Sequence, residues 1–171
     1  MKSVVGVSDW KVSSNPDETI ITYALGSCLG IVVYDPVARV AGLLHTMLPF
    51  SRKDPEKAEI KPAMFVDTGF SVLLRDFYAM GAEKKRIKLF VAGGASMKTS
   101  AKDDYFKIGA RNFTTLRKLL WKNGFMIDYQ DVGGSMSRTM SVKVSSGLVI
   151  VNKKPVNAST HQSAANINSY R

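Results

Sequence analysis

Between Leu29 and Val33 the chain reads Leu-Gly-Ile-Val-Val, a stretch with no polar residue at any position. A strand with one face in water alternates apolar and polar side chains, and this stretch does not. A strand here must therefore be covered on both faces, as in a sheet packed between two layers. Across the break Asp35-Pro36-Val37-Ala38, Val40 to Met47 supplies a second strand, so the two form a hairpin. A hairpin buried on both faces excludes an exposed antiparallel sheet and demands a layered molecule. A chain of 171 residues is long enough to bury one such core.

The flanking segments supply the layers. Val4 to Val12 roughly alternates and reads as a strand, and Thr19 to Leu25, β-branched and apolar, reads as another. Ser51 to Ile60 is charged, contains Asp54-Pro55 and reads as an exposed loop. Pro62 suits the first turn of a helix, along which Val66, Phe70, Leu73, Leu74 and Phe77 recur at helical spacing until Gly81. Gly69 falls inside this pattern. Arg86 to Ala92 is a buried strand that ends at Gly93-Gly94. Lys98 to Phe106 is a charged loop, Asn112 to Lys122 a second helix and Phe125 to Tyr129 a strand. Arg138 to Val144 and Leu148 to Asn152 form a hairpin about Ser145-Ser146-Gly147. Strands alternate with helices in the middle and cluster at both ends. The pattern implies an α/β domain with mixed sheets and flanking helices over residues 1–154. Residues 155–171 turn polar and read as a flexible tail.

Charge and cysteine content narrow the function. The formal net charge of +10 suits an acidic partner. The basic residues come in short groups such as Lys84-Lys85-Arg86, without interleaved aromatics, so an acidic protein surface ranks ahead of nucleic acid. The N-terminal residues lack the continuous apolar run of a signal peptide, and no segment reaches the ~20 apolar residues of a membrane span. A cytoplasmic protein without membrane insertion is expected. Cys28 is the single cysteine, so no internal disulfide forms and a cysteine-based zinc site is strongly disfavoured.

Cys28 lies at the open end of the first hairpin, and His45 lies on its second strand. If Asp35 to Ala38 forms a four-residue turn, Tyr34 pairs with Arg39, and continuing away from the turn Cys28 pairs with His45. Directly opposed residues share a face with Cβ atoms ~5 Å apart. A slip of one residue would send them to opposite faces. A thiol beside an imidazole is a nucleophile with its proton acceptor, and an imidazolium there lowers the thiol pKa. Gly26-Ser27 permits a sharp turn just before the sulfur that would aim the backbone N–H groups of Ser27 and Cys28 at an oxyanion. The same cysteine also fits an apolar core position, since cysteine is among the most buried residue types. Thr22 reads as an ordinary β-branched strand residue, Gly93-Gly94 as a turn, and Arg111-Asn112 as a helix cap or surface contact.

The stretch ALGSCLGIVVYDPVARVAGLLHTMLP resembles the signature of the CheD family of chemoreceptor glutamine deamidases. VAGGASM (91–97), IGARN (108–112) and DVGGSMSR (131–138) resemble its later blocks, in the same order. The resemblance implies hydrolysis of glutamine side-chain amides in methyl-accepting chemoreceptors, giving glutamate and ammonia. It places the family's catalytic cysteine on Cys28, its histidine on His45, and the threonine that orients the histidine on Thr22. It implies a fold like that of cysteine-dependent toxin deamidases and no metal or cofactor. It also implies two partners, the cytoplasmic receptor helices and a CheC-type phosphatase. Ala24 and Ser137 stand where the family favours glycine. Two other classes fit the same residues. One is another thiol acyl-transfer enzyme, such as a receptor methylesterase or transglutaminase. The other is a non-catalytic adaptor that docks receptors or the phosphatase while Cys28 is structural.

Overall fold

The computed structural model describes residues 1–96, 107–155 and 163–166. Its centre is the hairpin of β4 (Leu29–Asp35) and β5 (Val40–Thr46), in which every residue is buried. The two strands sit inside a sheet ordered β2-β5-β4-β6-β7, with β2 at Asp9–Ser13, β6 at Lys88–Gly93 and β7 at Tyr129–Val132. A second sheet, ordered β1-β3-β8-β9-β10, covers one face of the first. It comprises β1 (Lys2–Val4), β3 (Thr19–Leu25), β8 (Met136–Lys143), β9 (Leu148–Pro155) and β10 (Ser163–Asn166). Each sheet is mixed, with one parallel pair, β1–β3 in one and β6–β7 in the other. Helices α2 (Val66–Ala79) and α3 (Ile108–Lys122) cover the opposite face of the hairpin sheet. The fold is therefore α/β, with two mixed sheets and few helices.

The side chains of the hairpin divide accordingly. Val32, Tyr34, Ala41 and Leu43 face the second sheet, where Ile20, Leu25, Met140 and Val151 meet them. Ile31, Val33 and Leu44 face Phe70, Leu73, Phe77 and Leu116 of the helices. Each large side chain so buried stabilises the fold by about 2 kcal/mol. Gly69 belongs here too. A Cβ on it would lie 3.2 Å from Leu44 and from the Ala63 backbone, so the glycine marks where α2 rests on β5.

The hairpin register differs from the expected one. Asp35 pairs with Val40, Gly30 with His45 and Leu29 with Thr46. Cys28 and His45 are not directly opposed; they are offset by two residues, which preserves the shared face because the side-chain period is two. The cause is Asp35. Its fully buried carboxylate accepts the N–H groups of Val37 and Ala38 at 2.9 and 3.0 Å and pairs with Arg86 at 2.8 Å. It is thus the last strand residue, not the first turn residue, and the turn runs from Pro36 to Arg39. Burial opposes its ionisation, but the Arg86 bonds and three backbone N–H groups outweigh that and draw its pKa down to about 2.

Other boundaries also moved. The expected strand over 4–12 is two strands in different sheets, separated near Ser8, whose φ is 59°. The expected loop over 51–60 contains a 3₁₀ turn and α1 (Pro55–Ile60). Asp54-Pro55 is a helix start there, not a breaker, since the Asp54 side chain accepts the Lys57 N–H at 3.1 Å. Pro62 opens a 3₁₀ turn ahead of α2. The expected strand over 125–129 begins only at Tyr129, because Phe125 and Ile127 are spent on the helix-side core. The charged loop over 98–106 lies outside the described residues. Within residues 155–171, Ser163–Asn166 pairs antiparallel with β9. Among the described residues no helix is long and apolar enough to cross a membrane.

Gly30 tests the sheet-on-sheet packing. A Cβ there would lie 2.7 Å from Leu25 Cδ1 and 3.0 Å from Met140 Sδ. Gly30→Ala is expected to lower stability by about 1–3 kcal/mol through overpacking, although alanine suits a strand interior better. The urea midpoint measures this; an unchanged or raised midpoint would mean that the sheets do not meet at Gly30.

Candidate active site

One segment carries the chain from the second sheet to the first. β3 runs to a bulge between Thr22 and Leu25, in which Ala24 takes the left-handed φ of 57°. That conformation costs an alanine of order 1–2 kcal/mol and suits glycine. Gly26-Ser27-Cys28 then crosses to β4. Thr22 and Cys28 thus stand at the two ends of the crossing, and β5 returns His45 to Thr22, opposite Gly30.

Thr22 and His45 meet across the interior. Both are buried, and Thr22 Oγ1 lies 2.7 Å from His45 Nδ1 and 2.7 Å from the Val5 carbonyl oxygen. These two distances fix the protons. A carbonyl only accepts, so the single Thr22 hydroxyl proton goes to Val5, and His45 donates Nδ1–H to the hydroxyl oxygen. Nε2 then carries the lone pair, and among the described residues this buried nitrogen has no hydrogen-bond partner. The His45 backbone is fixed from both sides, by pairing with Gly30 on β4 and Asp9 on β2.

Cys28 is half-buried and packs against the cluster between the sheets, on the face that carries His45. Its turn is held by the Gly93-Gly94 segment. The N–H of Gly94 donates to the Cys28 carbonyl and that of Ala95 to the Gly26 carbonyl, each at 2.9 Å. Gly93, at φ 109°, passes so close that a Cβ would sit 2.1 Å from the Cys28 oxygen. These glycines therefore seat the cysteine turn, a role beyond the plain turn expected of them. Arg138, buried and paired with Asp131 at 3.0 Å, braces the same place by donating to the Gly93 carbonyl at 3.4 Å. Among the described residues, the N–H groups of Ser27 and Cys28 make no backbone hydrogen bond.

Asn112 was read as a cap or surface residue and is neither. It is fully buried, and its Nδ2 donates to the carbonyls of Ser27 and Met47, each at 3.0 Å. No periodicity marks such a residue; its signal was only a polar side chain on the inward stripe of α3, in line with Leu116 and Leu120.

The electrostatics differ from the thiolate–imidazolium pair expected from the sequence. Burial pushes the Cys28 thiol up, with its own backbone N–H partly opposing. Burial lowers His45 to about 4. The resting pair at neutral pH is a thiol and a neutral imidazole. Among the described residues no three His, Cys, Asp or Glu side chains gather as a metal site would require.

The arrangement defines a class, an α/β protein with a threonine-held histidine and a backbone-clamped cysteine turn at the open end of one buried hairpin; among the described residues the thiol is not a hydrogen-bond partner of Nε2. Comparison with known proteins narrows it. Residues 47–153 match the family model described as CheD chemotactic sensory transduction. A Syntrophus aciditrophicus protein named probable chemoreceptor glutamine deamidase CheD 1 is 43% identical over 148 residues, covering 86% of this chain and 91% of that one. Proteins named probable chemoreceptor glutamine deamidase CheD from Solibacter usitatus and Pyrococcus abyssi are 44% and 40% identical. They cover 84% and 87% of this chain, and 84% and 90% of their own lengths. The chain belongs to the CheD family. A crystal structure of a Neisseria meningitidis protein of the DUF152 family is similar at a TM-score of 0.45 and 9% identity, covering 77% of this chain and 64% of that one. A likeness of that size carries no argument.

The His45 environment has a pH consequence. An unfolded histidine titrates near 6.5, and His45 in the fold near 4, so between these values the unfolded chain binds more protons. Stability from this group is full above about pH 6.5 and is lost as pH falls to about 4, by roughly 3 kcal/mol. Denaturation of the wild type and His45→Gln at pH 7 and pH 4.5 measures it; equal pH dependence in the two proteins would mean that His45 is not held neutral.

Proposed function

We propose that this protein is a cytoplasmic protein-glutamine deamidase that converts glutamines of methyl-accepting chemoreceptors to glutamate and releases ammonia. The observation that carries the reading is the His45 ring, tied through Nδ1 to Thr22 and without a partner at Nε2 among the described residues, on the face that carries the only thiol. Its family membership and the names of its relatives supply the substrate class.

The chemistry follows from neutral partners. His45 Nε2 takes the Cys28 proton as sulfur attacks the carboxamide carbon, so no standing thiolate is needed. The new C–S bond gives a tetrahedral oxyanion, which the Ser27 and Cys28 N–H groups stabilise. The imidazolium returns its proton to the departing nitrogen, leaving a thioester and ammonia. His45 then deprotonates water, which attacks the thioester; the C–S bond breaks, the sulfur takes its proton back from the imidazolium to restore the Cys28 thiol, and the carboxylic acid product releases its own proton to solvent as carboxylate. Thr22 holds the ring throughout by accepting Nδ1–H. Neither a metal nor a cofactor takes part. The fold likeness to cysteine-dependent toxin deamidases and the CheC-type phosphatase partner belong to the same reading and rest on family resemblance. The basic surface suits acidic receptor helices, screened by salt.

The raised thiol favours a second reading, the non-catalytic adaptor, since a buried protonated cysteine is inert. Mass spectrometry of receptor cytoplasmic fragments with and without the protein separates the two. Conversion of specific glutamines to glutamate is expected, with water as the only acceptor, and Cys28→Ala should abolish it. Unchanged fragments, or turnover by Cys28→Ala, would contradict the thiol mechanism.

Thr22→Val keeps the side-chain shape and removes only the hydroxyl. An orienting bond of ~1–3 kcal/mol corresponds to a loss of turnover of roughly five- to hundredfold. Wild-type turnover at equal or higher melting temperature would remove Thr22 from the site.

A further inference from the structure

We propose that Asn112 is a positioning residue of the active site, a side-chain staple that joins the cysteine turn to the histidine strand and sets the direction of the Cys28 N–H. This rests on the deamidase reading above and adds to it a residue that acts through the backbone.

The hairpin ladder explains why a staple is needed. Its last backbone pair at the open end is Leu29 with Thr46. The next pair in register would be Cys28 with Met47, but the Met47 N–H donates instead to the Met64 carbonyl at 3.0 Å. The ladder therefore ends at Leu29 and Thr46, with Cys28 the first residue beyond it on one arm and His45 its next-to-last residue on the other. Asn112 Nδ2 bridges that opening, with one N–H to the Ser27 carbonyl and one to the Met47 carbonyl, both at 3.0 Å. A primary amide suits the task because one nitrogen offers two donors without charge. The pairing also fixes its orientation, since a flipped amide would set an oxygen against two carbonyl oxygens.

The seat of α3 supports the same role. Gly109 lies one turn before Asn112 on the same side of the helix. A Cβ on Gly109 would fall 2.4 Å from the Ala95 oxygen and 2.6 Å from Gly94. The glycine lets the helix press against the segment that holds the Cys28 turn from its other side. Ser27 is thereby clamped by Asn112, while Gly26 and Cys28 are clamped by Ala95 and Gly94.

The consequence for chemistry lies in one peptide plane. The Ser27 carbonyl and the Cys28 N–H belong to the same planar unit and point opposite ways. Fixing the carbonyl on Asn112 fixes the N–H, which is the group assigned to the oxyanion and which also lies against the Cys28 sulfur. Loss of Asn112 should leave substrate docking alone and disturb both the oxyanion donor and the thiol.

The test compares Asn112→Ala and Asn112→Asp with Leu119→Ala, a helix substitution that weakens packing away from the turn. Steady-state kinetics on a receptor cytoplasmic fragment and the pH profile of Cys28 alkylation by iodoacetamide are measured on folded samples. The Asn112 variants should lose at least about tenfold in kcat with KM changed less than about threefold, and their alkylation profile should move to higher pH. Leu119→Ala should lower the melting temperature and leave both readouts as in the wild type. Wild-type kcat and alkylation profile in a folded Asn112 variant would overturn the proposal, as would an equal fall in kcat in Leu119→Ala. Failure of both Asn112 variants to fold would make it a folding residue and overturn the proposal as well. If the wild type itself does not deamidate, the functional reading fails, and the alkylation profile still decides the role of Asn112.

Discussion

A histidine placed between two apolar sheets must find a partner for its N–H, and here the partner is Thr22. That one hydrogen bond crosses the interior and sets much else. Thr22 is saturated by Val5 on its donor side, so it can only accept from the imidazole. The proton is thereby confined to Nδ1, and Nε2 is left as a buried base. A carboxylate in place of Thr22 would hold the ring more strongly, but it would also favour the imidazolium. A neutral hydroxyl orients without charging, which agrees with a ring whose pKa burial has drawn down to about 4.

The rest of the architecture fixes the turn that carries the thiol, at the open end of the same hairpin. The chain changes sheets between Leu25 and Leu29, so a sharp turn at the boundary of the two layers is forced. Three separate segments then immobilise the turn through backbone groups. Gly93 to Ala95 supply two N–H donors, Asn112 supplies a side-chain amide, and Arg138 braces the Gly93 carbonyl. The glycines are needed because backbones approach too closely for a Cβ. The motif blocks scattered along the sequence therefore converge on one loop. A turn so constrained presents its N–H groups without reorganisation during reaction, which is the condition under which oxyanion donors are most effective.

Much of this was legible in the sequence. The uninterrupted apolar run from Leu29 to Val33 correctly demanded two covering layers, and Gly69 did not prevent α2. The shared face of Cys28 and His45 also followed, but through a register two residues off. That error came from treating Asp35 as a turn residue, when its burial against Arg86 makes it part of the strand. Periodicity has no means of seeing such a pair, because the partner lies 51 residues away. The split of the first strand between two sheets was invisible for a similar reason, since both halves alternate alike. Asn112 was missed because a buried asparagine and a capping asparagine look the same in sequence; only the two orphaned carbonyls distinguish them. The protonation states were missed as well. An exposed pair would hold thiolate and imidazolium, and burial reverses both preferences.

The central claim is that His45 rests neutral, protonated at Nδ1 by its bond to Thr22 and open at Nε2. Nitrogen-15 NMR of imidazole-labelled protein at neutral pH tests it directly. The account predicts a His45 ring with a protonated Nδ1 and a bare Nε2, unchanged until the pH falls towards 4, and altered by Thr22→Val. A proton on Nε2, or an imidazolium at neutral pH, would contradict it.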